Sequence, residues 1–357
     1  MGCVASIKRV HVLNPTTGTY FDGCPERNNE TVLAALVRID EEIFSSEKSY
    51  PVERLAVVSA ETDIIQEEIN IFAETTRIKK RGVDSYGKTL HEMFVSLDLY
   101  RRPILAIENE DFVANVNRKE MRQIELNWLH TRHEDLQNEK RILHARILRI
   151  RSLNGVMQQL LDNISSDRPD TPLEEALKRA RALCHALASV SVRLQAAVNY
   201  AHAAARTMDE ALPSWKLLSL GKNGWERTAA CADACRLLVR ARCLERAARR
   251  VLSASAAPRA ARSLRLALDY AFTDALHDHK YQKATETLVQ FKEALSLLIN
   301  CIHQVLLNNM DHLAAAEKDV QIKRKNLRMA RVDEIVKKGL ADLTFDLKLL
   351  KSLHTKK

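Results

Sequence analysis

The sequence predicts an all-α protein, an elongated antiparallel helical bundle of coiled-coil-like character with seven or eight helices. Three observations carry that expectation. Residues that break helices are scarce, with 9 glycines and 8 prolines in 357 positions. Apolar residues recur three and four apart over stretches far longer than an ordinary helix. Charged residues reach 28% and aromatics only 5%, a composition that suits long solvated helices better than a sheet. No fixed repeat of roughly 30 to 50 residues emerges, which argues against a solenoid.

The elements follow in order. His11 to Arg27 holds Pro15, Gly18, Gly23 and Pro25 without apolar periodicity and is expected to be a tether. Asn29 is placed as the N-cap of a helix whose apolar positions are Val32, Leu36, Ile39 and Ile43. Pro51 suits the first position of a second helix carrying Leu55, Val58, Thr62, Ile65, Ile69 and Phe72. Lys79, Lys80 and Arg81 sit where its dipole favours cations, and Gly82 supplies the stop. Asp84 or Ser85 opens the next helix, with Leu90, Phe94, Leu97 and Tyr100, and Pro103 ends it. Ile104 to Ile164 contains no proline and a single glycine, Gly155. If continuous it spans roughly 90 Å; a bend near Phe112 to Arg118 is the alternative.

Thr171-Pro172-Leu173-Glu174 is a capping box. Beyond it Leu177, Ala180, Cys184, Leu187, Ser191, Leu194, Val198, Ala201, Ala205, Met208 and Leu212 form a seam rich in small residues, which admits a close partner helix. Leu212 to Gly224 is the best internal loop, bracketed by Trp215 and Trp225, which are expected to pin it by packing. The helix from Trp225 to Leu252 carries its seam on Ala230, Ala234, Leu237, Ala241, Leu244, Ala248 and Val251. The last long helix, from Lys280 to Leu350, opens on Leu288, Phe291, Leu295, Leu298, Ile302, Val305 and Asn309 at heptad spacing. Asn309 is a candidate register-setting polar residue. Lys323 to Lys325, Arg328 and Arg331 interrupt the pattern, which resumes with Val336, Leu340, Leu343, Leu347 and Leu350. The division expected is a tether over 1–27 and helical segments over 28–168 and 169–357, the two segments being separate or one continuous bundle.

The longest uncharged run, Ala294 to Met310, is interrupted by five polar residues and falls short of the roughly 20 apolar residues of a membrane span. The first nine residues lack the apolar core of a secretory signal. The seven cysteines are odd in number and scattered, so reduced thiols on the cytosolic side are expected.

Specific chemistry concentrates at the start, in MGCVASIKR. Gly2, uncovered on removal of Met1, is the acceptor a myristoyl chain requires, and Ser6 occupies the hydroxyl position of the recognition pattern. Cys3 adds an acceptor for palmitate. A single myristoyl chain binds membranes with only about 10⁴ M⁻¹, so a second acyl chain decides residence time. Lys8 and Arg9 add on the order of 1 kcal/mol each against anionic lipid. These nine residues resemble the dually acylated starts of Src-type kinases and of many small signalling proteins; the resemblance covers only Met1 to Arg9 and implies attachment, not activity.

The net charge of +9 is unevenly placed: residues 171–270 hold 17 basic and 8 acidic groups and supply all of it. At 100° per residue Arg242, Arg246, Arg249 and Arg250 fall on the side of their helix opposite the seam, where solvent or an acidic surface is expected to meet them. Arg259, Arg262 and Arg265 continue this basic face after Pro258. Nucleic acid is disfavoured as a partner, because aromatics are nearly absent among these arginines.

Other chemistry finds little support. Gly221-Lys222-Asn223-Gly224 is neither a P-loop nor a dinucleotide fingerprint. His130, His133 and Glu134 stand in the wrong order for a zinc protease. Cys231 and Cys235, one turn apart on the arginine side, are candidates for reactive thiols, or with His277 and His279 for zinc, without a second fixed ligand pair. No catalytic residues, metal or cofactor are expected. The functional expectation is a dually acylated, non-enzymatic scaffold or adaptor facing the cytosol from a membrane, with anionic lipid and protein partners and the seams open to a homodimer. A BAR-like module is a variant supported by helix length and charge alone. The competing expectation is a soluble coiled-coil-type cytoskeletal or ciliary protein whose N-terminal motif is fortuitous.

Overall fold

The computed structural model describes residues 31–75, 85–102, 105, 108–164, 171–219, 224–253 and 259–339, and every element among them is a helix. The tether, Gly2, Cys3, Ser6, Lys8 and Arg9 lie outside the described residues.

Helix α1 (Val32–Glu47) starts two residues later than Asn29 implies: its cap is Thr31, whose Oγ1 accepts from the Ala34 amide at 3.3 Å. Three residues later α2 (Pro51–Thr75) begins with its proline at the first helical position, preceded by Tyr50 in the left-handed region at φ 47°. The tight joint makes α1 and α2 successive segments of one path, antiparallel to α4 (Glu110–Ile164). Glu42 meets Arg149 at 2.5 Å, Arg54 meets Glu139 at 2.6 Å, and Arg132 meets Glu61 at 3.4 Å.

Helix α3 (Ser85–Ser96) buries Leu90 and Phe94 and ends in a turn with Asp98 at φ 52°. The 55 residues of α4 form one unbroken helix of about 82 Å from Glu110, with no interruption between Phe112 and Arg118. Buried Asn117 anchors that region, donating to the terminal carbonyls of Leu268 (2.7 Å) and Asp269 (3.2 Å) in α7 (Arg259–Asp269).

Helix α5 (Thr171–Lys216) begins at its capping box and continues through Pro213, four residues past the expected loop start at Leu212, before a short 3₁₀ turn at Leu217–Ser219. Trp215 explains the extension. It is 1% exposed, stacks on Tyr281 at 5.5 Å and donates from Nε1 to Thr285 Oγ1 at 2.8 Å, fixing the last turn against α9 (Asp278–Lys337). Trp225 is 42% exposed and meets His91 edge-on, so of the two indoles expected to pin the loop by packing Trp215 is the buried one.

Helix α6 (Gly224–Val251) folds back on α5, α7 follows, and the single turn α8 (Ala271–Asp274) leads into α9. The 60 residues of α9, about 90 Å, run antiparallel to α5: Asn309 Nδ2 donates to the Leu187 carbonyl at 3.0 Å and Arg331 pairs with Glu174 at 2.7 Å. Its seam departs from the heptad count. Leu306 is buried where the heptad count names Val305, which is 52% exposed, and at the expected resumption of the apolar pattern Ile335 is buried rather than Val336, which is 57% exposed. Buried positions from Ala284 to Ile335 keep an average spacing of about 3.6 residues, the period of a straight helix, so a strict 3.5 repeat drifts off the interface. The helix ends before Gly339, at φ 66°; Leu340 to Leu350 lie outside the described residues.

The main core sits at one end, where α3, α7 and α8 close around α6, the start of α4, the C-terminal half of α5 and the start of α9. Smaller cores continue along the rod, joining α1 to α4 and Ile335, α2 to α4, and α5 to α9.

Candidate functional site

The cleft with the highest density of charge lies between α4, α6 and α7, beside Ile71 and Phe72 at the end of α2, and encloses about 410 Å³. Each helix contributes arginines spaced three or four apart, and so on one face: Arg118 and Arg122 from α4, Arg242, Arg246 and Arg249 from α6, Arg262 and Arg265 from α7. On α7 the adjoining stripe, Ala261, Leu264 and Leu268, is buried in the main core, with Ala261 at the cleft's edge, and fixes the direction of the two arginines. Against these seven cations stand three carboxylates, Glu125, Glu245 and Asp269, leaving an excess of four positive charges.

All three carboxylates are committed. Glu125, 3% exposed, takes both Arg242 (3.0 Å) and Arg246. Glu245, 2% exposed, pairs with Arg249 at 2.5 Å one turn away. Asp269 receives Arg118 through Nε and Nη2, both at 3.1 Å. Arg122, Arg262 and Arg265 have no carboxylate partner among the described residues; Arg122 is half-buried and the other two are exposed.

This arrangement corrects the expected basic face. Arg242, Arg246, Arg249 and Arg250 do lie off the α5 seam, but they meet the protein's own acids rather than solvent: Glu125, Glu245 and, for Arg246 and Arg250, Glu68 of α2. Arg250 is held below the usual guanidinium range by burial and by neighbouring Arg246. Arg259, Arg262 and Arg265 stay exposed, but Arg259 does not line the cleft. Counting within α6 and α7 alone missed Arg118 and Arg122; their spacing of four on α4 was the available signal.

The α6 cysteines are not activated by the arginines. Cys231 and Cys235 are buried on the core side, and burial with the Cys235 hydrogen bond pushes the Cys231 thiol well up. Cys243 is pushed up to about 12 by burial and by Glu125. Such thiols stay protonated and unreactive. Among the described residues no group of three or more His, Cys, Asp or Glu side chains is placed to hold a metal ion, and no helix is long and apolar enough to cross a membrane.

A second polar cluster clamps the α1–α2 joint. Tyr50 Oη donates to Glu317 at 2.5 Å and lies 3.3 Å from Cys184 Sγ, while His185 Nδ1 meets Glu53 at 2.6 Å. Burial and these bonds push the tyrosine hydroxyl up, and the Glu53 hydrogen bond raises His185; together the contacts tie α5 and α9 to the joint.

No protein-family model, curated protein or solved structure matches this chain.

Proposed function

We propose that this chain is a lipid-anchored, non-enzymatic helical scaffold on the cytoplasmic face of a membrane, with acyl chains on Gly2 and Cys3 and a rod of about 90 Å that presents its sides to protein partners. The observation that carries the reading is the juxtaposition of Gly2, Cys3 and Ser6 directly after Met1. The shape supports it: α4 and α9 offer lateral surface along the whole rod, and α9 exposes Leu297, Val305, Ile322 and Met329 for contacts with other proteins. Electrostatic attraction to lipid is a smaller part of this reading than the arginine count suggests, because four of the arginines are neutralised internally; Lys8, Arg9, Arg259, Arg262 and Arg265 remain for it.

The test is expression of Gly2→Ala and Cys3→Ser variants in cells, with membrane fractionation and intact-mass measurement of the purified chain. Acyl mass on the wild type, with a shift of either variant to the soluble fraction, supports the anchor. An unmodified wild type, or unchanged fractionation, replaces it with the soluble interaction protein.

A further inference from the structure

We propose that the cleft between α4, α6 and α7 is a binding site for a compact anion carrying two or more phosphate groups. This goes beyond the scaffold reading and does not depend on the acyl anchor.

Positive charge lining the cleft exceeds negative by four. Each carboxylate lining the cleft is already engaged, Glu125 by two guanidinium groups, yet Arg122, Arg262 and Arg265 open into the same 410 Å³ without an acidic partner among the described residues. A cleft of this size falls in the range of small-molecule sites, roughly 300–1,000 Å³. Like charges gathered in one partly dehydrated recess repel one another, and a multivalent anion relieves that repulsion at several points together.

The donor chemistry selects phosphate. Among the described residues every cation lining the cleft is arginine and none is lysine, and a guanidinium presents a planar fork of N–H donors that matches phosphate oxygens two at a time. Arg262 and Arg265 approach from α7 and Arg122 from α4, so three forks converge from two walls. Adjacent arginines on one helix stand about one turn, ~5.4 Å, apart along the axis, which favours a ligand with several phosphates over a single one.

The site is also built to hold its shape. Arg118 is fixed by Asp269 and by Asn115, Arg242 and Arg246 by Glu125 and Arg249 by Glu245, so four of the seven arginines are oriented before any ligand arrives. Asn117 ties α4 to the end of α7 beneath them. Preorganised donors of this kind reduce the ordering cost of binding.

The same headgroup chemistry is available free in solution or displayed on a membrane lipid, and the experiment separates the two. The full chain, unacylated, is titrated calorimetrically with inositol hexakisphosphate, with pyrophosphate and with an oligoglutamate of matching charge at 0.15 M salt. In parallel it is floated with vesicles containing phosphatidylinositol bisphosphate or with phosphatidylserine vesicles of equal charge. Arg122→Gln with Arg265→Gln removes two unpaired guanidinium groups without breaking an ion pair, and Arg259→Gln removes an exposed charge of α7 outside the cleft. Circular dichroism and thermal melting confirm that each variant is folded.

The expected result is binding of inositol hexakisphosphate that weakens by about tenfold or more in the double variant, is unchanged by Arg259→Gln, and exceeds oligoglutamate binding. Flotation with the bisphosphate vesicles, lost in the double variant, assigns a lipid headgroup; solution binding without flotation assigns a free anion. No binding to either phosphate compound overturns the proposal. So does equal weakening by Arg259→Gln, which reports diffuse charge, and so does oligoglutamate binding as tightly as phosphate.

Discussion

Arg324 of α9 grips Asp40 of α1 with its Nε 3.0 Å from both carboxylate oxygens and its Nη2 2.7 Å from Oδ1. The same guanidinium donates to the Asp40 backbone carbonyl and lies over the Phe44 ring, 4.8 Å from its centroid. At 8% side-chain exposure this is a buried pair, and Arg328 shares Asp40 from the rim at 3.7 Å.

Breaking that pair from one side leaves a buried charge without compensation. Arg324→Leu is therefore expected to destabilise the chain by about 3–5 kcal/mol. Replacing both residues, Asp40→Leu with Arg324→Leu, is expected to restore most of the loss, because Arg328 still has Glu41 at 3.3 Å. Denaturant melts of the two variants and the wild type decide it; a double variant as unstable as the single one would count against this account.

Trp215 pins the α5–α9 contact through one buried ring. Truncation to Ala should cost about 3–5 kcal/mol, while Phe should cost less, losing chiefly the hydrogen bond to Thr285. Fluorescence adds a second readout. With Trp215 1% exposed and Trp225 42% exposed, Trp215→Phe should remove the bluest part of the emission; an unchanged spectrum would contradict the packing.

Asp274 makes stability depend on mild acid. Burial, with Glu110 nearby, pushes its carboxyl from the ordinary 3.8 up to about 6, against the opposing pull of Lys280 and Lys283. Between those values the folded chain binds more protons than the unfolded chain, so this group's contribution to stability falls as pH rises from 3.8 through 6. Asp274→Asn should therefore melt higher than the wild type at pH 7.5, and the two melting curves should converge below pH about 4. A constant gap at every pH would show that titration is not responsible.

Thiol accessibility divides the cysteines sharply. Of the described ones, Cys301 is exposed and Cys184, Cys231, Cys235 and Cys243 are buried. Brief alkylation of the native protein at pH 8, mapped by mass spectrometry, should label Cys301 and spare these four until denaturant is added. Native labelling of Cys231 or Cys235 at the rate of Cys301 would revive their reactivity.

Much of the helical layout was legible because the signals are local. Pro51, the Thr171 to Glu174 box and the uninterrupted run of α4 each act within a few residues of their own position, and each lies on the element it marks. The misses were of two kinds. Thr31 competes with Asn29 for the cap of α1 within the same turn, a contest that side-chain geometry decides. The heptad count on α9 kept a coiled-coil period where packing follows the straight helix, and the lag had grown to one residue by Val305, named in place of Leu306.

The basic face is the clearest division. Composition by itself determined that residues 171–270 would carry the charge excess and that Arg242, Arg246, Arg249 and Arg250 would leave the α5 seam. Only the tertiary structure decided what they face, since Glu125 and Glu68 lie 117 to 182 residues away along the chain from the arginines they bind. Helical periodicity fixes the direction of a side chain relative to its own axis, whereas the groups that neutralise it are set by how separate helices pack. The unpaired arginines of the cleft emerge from that packing.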